Sequence, residues 1–135
     1  MPFTQNILHS LINIVLIAML FCYSFMEFNG STLNGYCIEF IFWNAATGDI
    51  FYGIFPLLGI IGILTSIAIR EKKIIYTISF LLLTIPLLID ILLYDKVAMH
   101  YQEFYLPLIL NLMASIFCFY MIFNKSTNQS KKYDY

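Results

Sequence analysis

The sequence predicts an all-α integral membrane protein, built as a bundle of four membrane-spanning helices. Three observations predict it. Only 11% of the 135 residues are charged, which is less than half of the roughly 25% that soluble domains carry. The mean hydropathy is high, at +0.82. Four apolar runs each come close to the ~20 residues that cross the hydrocarbon core of a bilayer.

The four predicted spans cover residues 7–28, 50–69, 74–94 and 104–123, in a single domain over residues 1–123 that is followed by a polar tail over 124–135. Backbone groups in lipid must be bonded within the span, so these runs are predicted to be helices. The second run does not alternate polar and apolar residues, as a strand of a membrane barrel would. The first run lacks a Lys/Arg-rich start and is too long for a signal peptide, so we expect an uncleaved helix.

Charge separates by side of the predicted membrane. The 70–73 loop and the C-terminal tail each carry three bases and one acid. Short segments rich in Lys and Arg stay in the cytoplasm, so both termini are predicted to be cytoplasmic, in a plasma or inner membrane. The outer side would then hold Glu27, Glu39, Asp49, Asp90, Asp95, Lys96 and Glu103. This acidic excess is either a by-product of the positive-inside bias or an acidic mouth that attracts cations or a basic partner.

The longest connection, residues 29–48, is the first outer loop. It contains two Asn-Gly pairs, which are typical of turns, and then becomes apolar. We predict a short interfacial helix with Ile38, Ile41, Phe42 and Trp43 on one face, because Trp favours the headgroup depth. An extended cover over the bundle is the alternative. The candidate partner-contact residues in this loop are Tyr36, Glu39, Phe42 and Trp43.

Small and polar residues at helical spacing predict where the helices meet, since apolar surface alone does not drive association in lipid. In the second span Gly59, Gly62 and Ser66 form a stripe that permits close packing, either within the chain or in a homodimer. Pro107 is expected in the first turn of the fourth span, where its missing N–H costs little. Pro56 and Pro86 are expected to bend their spans. The other predicted inward stripes are Asn6, Ser10, Asn13, Ile17, Leu20 and Ser24 in the first span, Tyr76, Ser79, Leu83, Pro86, Asp90 and Tyr94 in the third, and Asn111, Ser115 and Cys118 in the fourth.

Asp90 is the acid that the third span carries within its apolar run. It lies about four residues, or roughly 6 Å, inside the outer end of that span. Acids inside a span are costly and are functional candidates for that reason. The sequence leaves three roles open for Asp90: a structural hydrogen-bond hub, a transport site and a partner-binding site. The candidate intramembrane polar site consists of Asp90, Tyr94, Ser24, Tyr52 and Asn111.

Catalytic and cofactor motifs are missing from the sequence. It has no phosphate loop, nucleophile elbow or zinc-protease helix. His9 and His100 are predicted on opposite sides of the membrane, so they cannot share a metal. The three cysteines have no CxxC spacing, and a Cys22–Cys37 disulfide is left open. No basic patch suits nucleic acid. We therefore expect a protein that is not an enzyme and holds no cofactor or metal.

Two functional hypotheses follow. In the first, the protein lies in a lipid bilayer and acts by contact with another membrane protein, as an accessory subunit or an immunity-type protein, or as a homo-oligomer. In the second, it is a small oligomeric transporter or channel with a cation or proton site near Asp90.

Overall fold

The computed structural model describes residues 2–29, 34–69, 72–94 and 99–130. Over these residues the chain forms five α-helices, a short antiparallel hairpin and one π-helical segment. In chain order they are α1 (Pro2–Ser24), β1 (Glu27–Asn29), β2 (Asn34–Tyr36), α2 (Cys37–Ala46), the π-helical segment (Ile50–Ile54), α3 (Phe55–Ala68), α4 (Lys73–Leu93) and α5 (Gln102–Ser130). The predicted helical class is confirmed.

Some sequence predictions fall on residues that the structure does not describe. Arg70, Glu71, Asp95, Lys96 and residues 131–135 lie outside the described ranges, as do the side chains of residues 125–130. The sidedness of charge, which depends on these residues, stays a prediction.

Four stretches are long and apolar enough to cross a membrane, which confirms that part of the prediction. They are Gln5–Ser24, Ile50–Ala68, Lys73–Leu93 and Gln102–Asn124. The first helix ends at Ser24 and not at residue 28, because the chain turns there and enters β1. The last helix begins at Gln102, so Pro107 lies in its second turn and not in its first. Glu103 favours this earlier start, since an acid in the first turn complements the helix dipole.

The long helices pack mainly in two pairs, α3 along α4 and α1 along α5. A buried polar network joins α1, α4 and α5 at the centre of the bundle. The Tyr76 hydroxyl donates to the Ser115 carbonyl at 3.0 Å, and Asn111 Nδ2 donates to the Met19 carbonyl at 2.9 Å. Ser115 Oγ donates to the Asn111 carbonyl at 2.7 Å. The predicted stripe of α5 is buried, and so is that of α4 as far as Pro86.

The predicted stripe of α1 is wrong in part. Leu20 is buried as predicted, and Asn13 bonds to Lys72 and to the Ile67 carbonyl. Asn6, Ser10 and Ile17 are exposed, and α1 also buries Ile12, Leu16, Met19 and Tyr23. Both faces of this helix are apolar enough for lipid, so hydropathy does not select one of them. The fit of side-chain shapes against α5 decides the face.

The stripe of small residues in α3 faces α4 of the same chain. A Cβ added to Gly59 would lie 2.8 Å from Leu83 Cγ and 2.9 Å from the Ser79 carbonyl oxygen. One added to Gly62 would overlap Ser79 Oγ. Ser66 is buried on the same side and donates to the Ile63 carbonyl at 2.7 Å. The stripe therefore brings two backbones together within the chain.

The chain doubles back so that α2 lies on the π-helical segment. A Cβ at Gly53 would overlap the backbone of Ala45 and Asn44, so only glycine permits this approach. The segment ends where the Phe55 N–H donates to the Ile50 carbonyl, five residues earlier. Pro56 follows at the start of α3, and because it has no N–H it cannot donate to the carbonyls of the π turn before it. The π turn and Pro56 together interrupt the regular α-helical hydrogen bonding of this span.

Candidate functional site

A cavity of about 580 Å³ lies at the end of the bundle where α2 packs against the other helices. We call it the α2 cavity. Its wall is assembled from α1, β1, α2, the π-helical segment, α3 and α4, so residues far apart in the sequence meet there. The lining residues are Tyr23, Phe28, Cys37, Glu39, Phe40, Ile41, Trp43, Asn44, Tyr52, Pro56, Pro86, Leu87 and Asp90.

The cavity brings together residues from both predicted sites. Asp90 and Tyr52 come from the intramembrane set, and Glu39 and Trp43 from the loop set. The remaining members lie elsewhere. Asn111 is buried in the central network, Ser24 is half-buried at the end of α1, and Tyr94 is 72% exposed. Tyr36 and Phe42 are exposed and do not line the cavity.

Asp90 is positioned by the last turn of α4. Its backbone carbonyl accepts the Tyr94 N–H at 2.8 Å, and its side chain is half-buried. The C-terminal turn of a helix carries partial negative charge from its carbonyls, so a carboxylate there is unfavourable. The negative charge of Asp90 raises the pKa of Cys37, which lies on another element of the wall.

Pro86 lies one turn before Asp90 and weakens the backbone bonding of α4. A proline inside a helix removes one N–H donor and crowds the carbonyls of the preceding turn. The Leu83 carbonyl, in that turn, accepts the Tyr23 hydroxyl of α1 at 3.1 Å. The Tyr23 hydroxyl thus supplies a donor from a second helix to the turn that Pro86 crowds. The bond holds α1 against α4 beside the cavity.

Local hydrogen bonds position α2. Glu39 Oε2 accepts the Tyr36 N–H at 3.1 Å, as part of a capping box at the start of the helix. The Cys37 N–H donates to the Met26 carbonyl at 2.8 Å, which ties α2 to the chain just before β1. At the other end, Asp49 Oδ1 accepts the Tyr52 N–H at 2.9 Å and begins the π-helical segment.

The short helix predicted within residues 29–48 is present as α2, but its predicted single apolar face is wrong. Ile41 and Cys37, four residues apart, point into the bundle and are buried. Phe42 and Trp43 are 58% and 71% exposed, and Trp43 also borders the cavity. The close approach to Gly53 fixes this rotation of the helix, because any other face would separate the two backbones.

Cys37 lines the cavity, but its thiol is a poor nucleophile near neutral pH. Burial raises its pKa to about 12; the Tyr23 hydroxyl acts in the opposite direction, and the charge of Asp90 raises it further. A thiol with that pKa is protonated near neutral pH, and the thiolate is the nucleophile. Cys22, Cys37 and Cys118 are free, so Cys22 and Cys37 are not bonded. Among the described residues no group of three or more His, Cys, Asp or Glu could hold a metal ion.

The sequence reasoning missed two residues. Gly53, whose backbone contacts α2, is not part of any sequence motif. Its only signal in the sequence is a glycine within an apolar span. Lys72 is 4% exposed, and its Nζ donates to Asn13 Oδ1 at 2.7 Å and to the carbonyls of Ser66 and Ile67. A lysine just beyond a helix end, where free carbonyls need donors, is the signal that identifies it.

The chain matches no protein-family model, no curated protein and no solved structure. The α2 cavity, the exposed side of α2 and the charged groups near the helix ends are therefore the observations from which a function can be proposed.

Proposed function

We propose that this chain is a non-enzymatic integral membrane protein that acts by contact with another membrane protein. It would serve as an accessory subunit or an immunity-type protein. One observation carries the proposal: α2 is held firmly on the bundle while its aromatic outer side is uncovered. Cys37 and Ile41 are buried, whereas Trp43 and Phe42 are mostly exposed.

Aromatic side chains on a rigid element suit recognition. Trp and Tyr are enriched among the residues that dominate the binding energy of protein interfaces. A helix that is already ordered loses little conformational freedom when a partner docks, so less binding energy is spent on ordering. The capping box and the Cys37–Met26 hydrogen bond supply that order.

The proposal includes a placement in the membrane. With both termini in the cytoplasm of a plasma or inner membrane, α2 would lie on the outer side at headgroup depth, which suits Trp43. A C-terminal fusion to a reporter that is active in only one compartment tests this. Activity in the cytoplasm supports the placement, and activity only on the outer side would overturn it.

The partner hypothesis is tested by affinity purification of the tagged chain from its native membrane in mild detergent. We expect one stoichiometric membrane-protein partner with the wild-type chain and its loss from Phe42→Ser/Trp43→Ser. Tyr101→Ser is the matched control, since Tyr101 is exposed in the connection before α5. Retention of the partner by the double variant, or recovery of the chain alone or only as a homo-oligomer, would contradict the proposal.

A second function is favoured by Asp90, which lines the cavity beside Tyr52. In this alternative the protein is a small oligomeric transporter or channel with a cation or proton site near Asp90. Flux across proteoliposomes separates the two functions. A pH-dependent cation flux that Asp90→Asn abolishes would support transport and count against the contact hypothesis.

A further inference from the structure

We propose that the α2 cavity binds a small aromatic alcohol, an uncharged molecule with an apolar ring and a hydroxyl head. Three features of the cavity support this ligand class: its buried apolar floor, the aromatic rings of its wall and the polar groups at its mouth. The inference goes beyond both functions above, because it names a ligand chemistry and requires neither a protein partner nor transport.

The floor of the cavity consists of buried, mainly apolar side chains from four elements. They are Tyr23 of α1, Phe28 of β1, Cys37 and Ile41 of α2, and Leu87 of α4. The Tyr23 hydroxyl already donates to the Leu83 carbonyl at 3.1 Å. Water inside a protein needs several polar partners, and these side chains offer it few. An apolar group gains affinity when it displaces such poorly held water, so the floor favours an apolar body.

The backbone of two spans is irregular where it lines the cavity. Tyr52 belongs to the π-helical segment, and Pro56 and Pro86 are the prolines of α3 and α4. Irregular backbone within a span is tolerated where it is buried in protein or lines a cavity. π turns inside helices are also frequent at functional sites. The distortions of two helices therefore indicate the same site as the apolar floor does.

The aromatic rings of the wall favour a ring over a flexible chain. Phe28 and Phe40 both line the cavity and pack edge to face, with ring centroids 5.4 Å apart and an interplanar angle of 89°. Aromatic rings prefer such neighbours, so an aromatic ligand would extend this cluster. A rigid ring also loses less conformational freedom on binding than an acyl chain does. The volume of about 580 Å³ is typical of sites for small organic molecules.

The polar groups lie at the mouth and suit a hydroxyl head. Glu39 is exposed, Asn44 and Tyr52 are half-buried, and all three line the cavity. A carboxylate accepts hydrogen bonds, whereas an amide and a phenol both donate and accept. A ligand hydroxyl does both as well, so it can bond to this mouth whatever the net charge there. Glu39 keeps acceptor positions for it, because the capping bond from the Tyr36 N–H uses only one of about four.

The test uses the full chain in phosphatidylcholine nanodiscs and a photoreactive benzyl alcohol that carries a trifluoromethyl diazirine on its ring. Light converts the diazirine to a carbene that inserts into nearby bonds, and mass spectrometry locates the labelled residues. We expect saturable labelling of cavity residues such as Phe28, Ile41 and Leu87. Labelling of exposed side chains of the spans, such as Ile74 and Ile116, should be weak and should not saturate.

Competitors with the same number of carbons separate the parts of the ligand. We expect para-tert-butylbenzyl alcohol to displace the probe from the cavity. Undecanol should need an about tenfold higher concentration because its chain is flexible. Para-tert-butyltoluene should need an about threefold higher concentration because it has no hydroxyl. Concentrations in the bilayer are compared, so that partitioning into lipid does not contribute.

Cys37→Phe fills the floor from α2 and should reduce the saturable labelling about tenfold, because the added ring occupies the space of the ligand. Cys22→Phe is the matched control. Cys22 is half-buried near the end of α1 and does not line the cavity, so this variant should be labelled as the wild type is.

Equal displacement by undecanol would assign the cavity to a lipid chain, and equal displacement by para-tert-butyltoluene would show that the hydroxyl is not recognised. Either result would overturn the proposal, as would labelling that does not saturate or that is unchanged in a folded Cys37→Phe variant. The competition uses the wild-type chain, so it decides the question even if Cys37→Phe does not fold. Loss of the protein partner or of flux leaves this result untouched, so each proposal fails separately.

Discussion

The two ends of α4 carry opposite charges and use them differently. Lys72, just before the helix, and Asp90, in its last turn, are about 27 Å apart along the helix axis at 1.5 Å per residue. Lys72 is buried, and its ammonium donates to Asn13 and to the last carbonyls of α3. Asp90 is half-buried and borders a cavity of about 580 Å³. One charge lies within the packed bundle, and the other lies on the wall of the cavity.

The difference follows from hydrogen-bonding chemistry. The ammonium of Lys72 reaches the C-terminus of α3, and Asp90 lies at the C-terminus of α4. The unsatisfied backbone groups at both places are carbonyl acceptors. An ammonium group only donates, so Lys72 matches the end of α3. A carboxylate only accepts, so Asp90 cannot bond to the carbonyls that end α4. The ammonium therefore stabilises the end of α3, whereas the carboxylate is unfavourable beside the carbonyls that end α4.

The largest effect on stability is expected at Gly53, where the backbone of the π-helical segment contacts the backbone of α2. Gly53→Ala should destabilise the protein by about 3 kcal/mol, because the added Cβ meets the α2 backbone. Unfolding by SDS in mixed micelles measures this. Cys37 provides a second readout in a Cys22→Ser background. Its pKa of about 12 makes maleimide labelling slow at pH 7, and labelling should quicken when α2 is displaced.

Gly62→Ala is the matched control for Gly53→Ala. Its added Cβ meets the Ser79 hydroxyl, a side chain and not a backbone. We expect a cost of about 2 kcal/mol that Ser79→Ala largely restores, and no change in the labelling of Cys37. Equal labelling of Cys37 in Gly53→Ala and in the wild type would show that α2 is not held by this contact.

The next largest effect tests the structural charge. Lys72→Met should destabilise the protein by about 2–3 kcal/mol, since it leaves Asn13 and the end of α3 without their buried donor. Lys73→Met is the control. Lys73 is only partly buried, with its Nζ 5.2 Å from the centre of the Phe123 ring, and its loss should cost less than about 1 kcal/mol. Similar losses for the two variants would remove the contrast between the ends of α4.

The smallest effect on stability is expected at Asp90. Asp90→Asn should change the free energy of unfolding by less than about 0.5 kcal/mol, or raise it slightly, because it removes a negative charge from a helix C-terminus. The same unfolding titration measures it. A loss above about 2 kcal/mol would make Asp90 a structural residue like Lys72.

Much of the polar packing was predictable because its spacing follows the helical repeat. Asn111, Ser115 and Cys118 recur at three or four residues and are buried together, and Tyr76 and Ser79 behave likewise. The face of α1 was predictable only in part, since its polar residues Asn6 and Ser10 are exposed and the residues that it buries are mainly apolar. The candidate site was predictable only in part. Asp90 and Tyr52 share the cavity, but Asn111 bonds to α1 in the central network and Tyr94 lies beyond the last turn of α4.

By itself, the sequence determined the helical class, the four apolar helices and the presence of a short helix between the first two of them. These depend on local hydrophobicity and length, which each segment carries alone. Only the tertiary structure decided that α2 buries Ile41 and exposes Trp43 and that its backbone packs against Gly53. It also decided that Glu39 and Asp90 line the same cavity. Those features depend on which backbones touch, and contacts between distant segments leave no periodic pattern in the chain.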